Sequence, residues 1–82
     1  MATSWKHSIV TQPDVLSGKP HIKNTRISVE FLLGRLADGW SYEDVINSYP
    51  AIKREDIQAA LAFVSEIYTE ESFVAERHAL AA

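Results

Sequence analysis

Eighty-two residues make one domain at most, and a chain this short buries a small fraction of its surface, so its core is marginal without a partner. The absence of cysteine excludes a disulfide framework and a thiolate metal site and fits the reducing cytoplasm. The formal charge of −3 is unevenly spread: residues 1–35 hold five cations against two carboxylates, and residues 36–82 hold three against nine. Phosphate neutralisation by Lys and Arg carries most nucleic-acid affinity, so the second half alone is a poor DNA surface. MATSWKHSIV lacks the apolar core of a signal peptide, and no run of about 18 apolar residues follows, so a soluble chain without a membrane span is expected.

Met1 to His7 is a polar leader except for Trp5, a large apolar group expected to dock on the body or on a partner. Ile9 and Val10 form a β-branched run suited to a short strand, ended by Pro13 and Asp14. Ser17-Gly18-Lys19-Pro20 reads as a turn, because glycine accepts positive φ and proline pushes the residue before it toward an extended conformation. His21-Ile22-Lys23 can return as a second strand, followed by Asn24, which tolerates left-handed geometry. Strands this short need a helix or a second subunit to cover them.

Ser28 is placed as the N-cap of a first helix, with Glu30 in its first turn. Ile27 stands where a hydrophobic staple would meet Leu32. Leu32, Leu33, Leu36 and Ala37 recur at helical spacing as the buried stripe, with Phe31 and Arg35 at its flanks; Gly39 ends the helix and Trp40 folds back on it. Ser41 with Asp44 reads as a capping box opening a second helix, in which Val45, Ile46 and Tyr49 face inward until Pro50. The third helix starts near Glu55 and Asp56, but Lys53 is a poor N-cap. Ile57, Ala60, Leu61, Val64 and Tyr68 form its stripe, with Phe63 and Ile67 beside it, a face broad enough for contact on two sides, with the domain and with another chain. Residues 69–82 form an acidic, alanine-rich extension in which Phe73, Val74 and Leu80 could dock. A hairpin followed by three helices, the last two tightly linked, is compatible with a helix-turn-helix unit.

Gly18-Lys19-Pro20-His21-Ile22-Lys23-Asn24-Thr25-Arg26-Ile27, Val29, the Leu36-Ala37-Asp38-Gly39 helix end, Ser41, Glu43-Asp44-Val45, Tyr49-Pro50 and Glu55-Asp56-Ile57 with Ala59-Ala60-Leu61 together resemble the DUF433 family of small bacterial proteins. The resemblance runs from about Ile9 to Phe63. It implies a mainly α fold: a short N-terminal β-hairpin or arm, then a three-helix, homeodomain-like helix-turn-helix core within a single domain over 1–68. It also implies a homodimer and a non-enzymatic antitoxin role, binding a PIN-like ribonuclease toxin and operator DNA. The family usually has glycine where this chain has Ser17 and Asn24, and Thr or Ser where it has Lys53.

Two readings stand for Thr25 and Arg26. Either Arg26, with Lys19 and Lys23, contacts phosphates of double-stranded DNA, or Arg26 pairs with Asp38 or Asp14 while Thr25 closes the turn through the backbone. At the start of the third helix, Lys53, Arg54 and Gln58 have chemistry suited to DNA, whereas Glu55 and Asp56 repel phosphate and serve helix capping. His7, His21 and His78 are dispersed without metal-ligand spacing, and the GKP segment lacks the glycine spacing of a phosphate loop, so no catalytic residue, metal or cofactor is expected. Trp5, Phe63, Ile67 and Phe73 are the candidates for a protein interface. The alternative to an antitoxin is a homodimeric structural or protein-interaction module without DNA binding.

Overall fold

Residues 4–68 are described by the computed structural model. A 3-10 turn, Trp5–His7, leads into strand β1, Ile9–Val10, which pairs antiparallel with β2, His21–Ile22, across a loop holding a second 3-10 turn, Leu16–Gly18, so that Ile9 faces Ile22 and Val10 faces His21. Three helices follow: α1, Val29–Ala37; α2, Tyr42–Ser48; and α3, Arg54–Ile67. The architecture is mainly α, an N-terminal hairpin followed by a three-helix bundle, as the sequence predicts. No described helix is long and apolar enough to cross a membrane.

Local chemistry sets each boundary. The Ser28 hydroxyl accepts the Phe31 N–H at 2.9 Å, the N-cap bond that opens α1. Ile27, just before that cap, packs on the same core cluster as Leu32. At the other end Gly39 takes φ 96°, its N–H reaches the Leu36 carbonyl, and the Trp40 N–H reaches the Arg35 carbonyl. These are the two bonds of a Schellman cap, and the left-handed residue they require is glycine. Ser41 and Asp44 close a full capping box on α2, each accepting the other's backbone N–H at 2.9–3.0 Å.

The start of α3 is half of the same device. An ammonium cannot accept, so Lys53 supplies no side-chain cap, but its N–H donates to the Asp56 carboxylate at 2.9 Å. The helix therefore begins where the sequence places it, with one reciprocal bond missing.

Ile9 and Ile22 of the hairpin, Val29 and Leu32 of α1, Val45 of α2, Ile52 of the link, and Ile57, Ala59 and Ala60 of α3 form the buried core. Of the expected core positions, Leu33, Leu36, Ile46, Tyr49 and Val64 pack against it partly buried, and three are exposed. Ala37 is exposed: about 80° around α1 from Val29, it misses the arc of Val29, Leu32 and Leu36. Leu61 is 41% exposed because the inward arc of α3 runs through Ala59, Ala60 and Ile57, and Leu61 lies about 40° beyond its Ile57 edge. Tyr68, 52% exposed, stands after the last turn of α3 and extends no stripe.

The breadth of the α3 apolar face has a cause within the chain. The Trp5–His7 turn packs on α3, and the Trp5 ring meets Phe63 edge-on, with centroids 4.8 Å apart. One of the two sides assigned to contacts is thus covered by the chain's own N-terminal turn.

Candidate nucleic-acid and partner-binding surface

The segment joining β2 to α1 is closed by backbone bonds, from the Thr25 N–H to the Ile22 carbonyl at 3.0 Å and from the Ile22 N–H to the Ile27 carbonyl at 2.9 Å, and by one hydroxyl. Thr25 Oγ1 donates to the Ile22 carbonyl at 2.8 Å and accepts the Ile27 N–H at 3.0 Å, while Asn24 takes φ 65°. Thr25 therefore closes the turn, and Lys23 and Arg26 stand on its outside, both exposed.

Arg26 pairs with neither Asp38 nor Asp14, a correction to one of the two sequence readings. Asp38 lies at the end of α1, where its carboxylate is 3.9 Å from Arg35. Arg26 has no ion pair among the described residues and instead lines an open groove of about 620 Å³ with Lys23, Gln12 and Val15. Lys23, Asn24 and Thr25 also border a second hollow, shared with His7, Lys53, Glu55 and Asp56. Lys23 is thus the hinge of a strip running from Arg26 to Lys53, and none of these three cations is in an ion pair with a described residue.

The remaining cations are engaged. Lys19 Nζ lies 3.1 Å from Glu30, an exposed pair. Arg54 donates from Nη2 to Glu43 at 2.7 Å, and its guanidinium stands over the Tyr42 ring at 5.1 Å. Gln58, one turn beyond Arg54, is exposed. The six candidate DNA residues therefore divide into a strip of three, a helix face carrying Arg54 and Gln58, and an isolated Lys19.

The candidate interface residues divide as well. Trp5 and Phe63 cover each other, and the Trp5 indole N–H donates to Glu66. Ile67 remains 62% exposed. Phe73 and the acidic extension lie outside the described residues.

Two polar features were not legible in the sequence. His21 is fully buried, with Nδ1 3.0 Å from the Lys19 carbonyl and Nε2 3.2 Å from Gln12 Oε1. The Lys19 backbone carbonyl can only accept, so Nδ1 carries a proton and donates to it, and the ring ties β2 to the loop after β1. Arg35 lies over Phe31 at 4.8 Å and Trp40 at 5.4 Å, with Tyr49 stacked on Trp40, so an aromatic cluster holds the α1 end against α2. Among the described residues no group of three or more His, Asp or Glu side chains is arranged to hold a metal ion.

The fold and this surface define a small α-helical, helix-turn-helix-like module with a two-stranded arm and an open groove bordered by Lys23 and Arg26. Residues 9–64 match the family described as "Protein of unknown function (DUF433)", and the chain belongs to that family. It is similar to the crystal structure, at 2.00 Å resolution, of a DUF433 member protein from Anabaena variabilis ATCC 29413, with 30% identity and a TM-score of 0.69. The likeness covers 72% of this chain and 58% of that one, so this chain spans little more than half of that relative's length. No curated protein matches the sequence. Ser17 and Asn24 take φ 55° and 65°, the left-handed region that glycine enters without strain.

Proposed function

We propose that this DUF433 chain is a non-enzymatic, antitoxin-like binding module that holds a PIN-like ribonuclease and, as a homodimer, contacts operator DNA. The observation that carries the DNA half is that Arg26, Lys23 and Lys53 line two adjoining hollows, the second bordered also by Glu55 and Asp56, and that none of the three cations is in an ion pair with a described residue. A chain of net charge −3 binds phosphate only where its cations are concentrated. The antitoxin half is supported by the family resemblance and by the acidic second half, which suits the basic groove of a nuclease.

A second reading, a homodimeric interaction module without DNA binding, is favoured by one observation. Lys19 and Arg54 are neutralised by Glu30 and Glu43, which leaves few cations for phosphate. A gel-shift titration against the DNA upstream of its own gene, at two salt concentrations, separates the two. Salt-sensitive binding supports the first reading, and its absence leaves the second. Co-expression with a neighbouring PIN-like nuclease tests the antitoxin half, which fails if nuclease activity is unchanged.

A further inference from the structure

The groove that Lys23 and Arg26 border has a lining to which phosphate contact gives no role. Val10 and Val15, both half-buried, supply its apolar part, with the exposed Thr11 and Gln12 between them in the chain. No lining residue is a carboxylate, and Asp14, next to Val15 in the chain, does not border it. Lys23 and Arg26 therefore face the groove without a counter-ion among the described residues. The second hollow differs, because Glu55 and Asp56 there offset Lys23 and Lys53.

The walls of the groove are fixed from within. Gln12 is tied to the fully buried His21 ring, 3.2 Å from Nε2, and Thr25 is held by the two bonds of its hydroxyl. Just past the end of β1, the Thr11 N–H and carbonyl have no hydrogen-bond partner among the described residues. An extended segment can take up such backbone groups as an added strand takes up a sheet edge. At about 620 Å³ the groove is within the roughly 300–1,000 Å³ typical of binding clefts.

Two occupants suit a pair of free cations, and the apolar lining chooses between them. A duplex offers phosphates from a convex backbone, which protruding Lys and Arg side chains meet from outside, and Val10 and Val15 then contact nothing. A peptide can set a carboxylate against the planar fork of Arg26 and an adjacent apolar side chain against the two valines.

We propose that the groove between β1 and the turn at 23–26 binds an extended acidic segment of a partner protein, in which an apolar side chain is flanked by carboxylates. Arg26 and Lys23 take the carboxylates, Val10 and Val15 the apolar side chain, and Thr11 the peptide backbone. The proposal goes beyond the DNA and antitoxin readings and depends on neither, although peptide and phosphate would compete for the same two cations.

The test is titration of the full chain, isotope-labelled for NMR, with three capped eight-residue peptides: Glu alternating with Val, Glu alternating with Ser, and Gln alternating with Val. Wild type, R26A, K23A and V15T are compared, and thermal melting confirms that each is folded. The Glu–Val peptide is expected to shift the amides of Val10, Thr11, Val15 and Arg26 saturably. It should bind on the order of 10-fold more tightly than the Glu–Ser peptide, the scale of one buried valine. R26A and K23A should each lose up to about 5-fold on the Glu–Val peptide and little on the Gln–Val peptide. V15T should narrow the preference for Glu–Val over Glu–Ser and keep the dependence on carboxylates. Equal affinity of wild type for the Glu–Val and Glu–Ser peptides means charge attraction alone and overturns the proposal, as do shifts confined to other surfaces. Duplex DNA binding without peptide binding overturns it and leaves the phosphate strip standing. Peptide binding with these variant effects and no duplex binding supports it and removes the DNA reading.

Discussion

Trp5 and Phe63 meet edge to face, centroids 4.8 Å apart and planes at 77°, although the first stands in the N-terminal turn and the second near the end of α3. The contact closes the module: the N-terminal turn lies against the helix whose start carries Lys53 and Arg54. An edge-to-face pair contributes about 0.5–1.5 kcal/mol beyond the area it buries. Both rings are half-buried, so Trp5→Ala or Phe63→Ala is expected to cost about 2 kcal/mol each, below the range for fully buried aromatics. Chemical denaturation of the two single variants and the double variant checks this, and strictly additive losses would show that the rings do not interact.

Thr25 offers a sharper test because one atom does two things. Thr25→Val keeps the shape and leaves the Ile27 N–H and the Ile22 carbonyl without the hydroxyl they share, a loss of about 1–3 kcal/mol. Thr25→Ser keeps the oxygen and should lie much closer to wild type. Equal melting midpoints for the two variants would contradict the role assigned to the hydroxyl.

What the sequence made legible was mostly local. Ser28, Ser41 and Gly39 announce helix ends through bonds to residues three or four positions away, and the structure has those bonds. Contacts spanning the chain were not legible. Nothing in the periodicity of α3 indicates that Trp5 occupies its second side, or that Glu43 has claimed Arg54. His21 shows why composition misleads: histidine is usually half-exposed, yet here it is buried because the Lys19 carbonyl and the Gln12 side chain meet both ring nitrogens. Of the cationic set, only the cluster around the GKP-to-Arg26 segment could be grouped by sequence distance. That Lys53 borders the same hollow as Lys23 depends on the way the link after α2 returns to the turn.

Ile27 precedes the Ser28 cap and packs against the core cluster that includes Leu32, so a charge there must enter apolar surroundings or pull the helix start away. Ile27→Asp is expected to unfold the module or to lower its stability by about 2–4 kcal/mol. An unchanged thermal midpoint would refute the placement.

The same substitution at two glycines should act with opposite sign. Gly34 lies within α1 and a Cβ there meets nothing within 4 Å, so Gly34→Ala should stabilise by about 1 kcal/mol through helix propensity. Gly39 also has open space, but its φ of 96° is the left-handed conformation of the Schellman cap. Gly39→Ala should therefore destabilise, by about 1–2 kcal/mol from backbone conformation alone. Paired melting curves decide it, and a shift in the same direction for both would count against the assigned conformations.

Lys53 joins stability to binding. As the N-cap of α3 it contributes no side-chain acceptor, only its carbonyl, and the Asp56 bond to its N–H supplies half of a capping box. Serine would offer a cap hydroxyl to the Asp56 N–H, which now donates to the Lys53 carbonyl at 3.0 Å, so Lys53→Ser should stabilise the fold by about 0.5–1 kcal/mol. The same change removes one cation from the strip it forms with Lys23 and Arg26. If that strip contacts phosphate, the slope of log affinity against log salt should become shallower by about 0.9 for each Lys53 replaced. The combination of a raised melting midpoint and a shallower salt slope would mean that the lysine serves binding at the expense of the helix. A raised midpoint with an unchanged slope would remove Lys53 from the strip and leave Lys23 and Arg26 as its members.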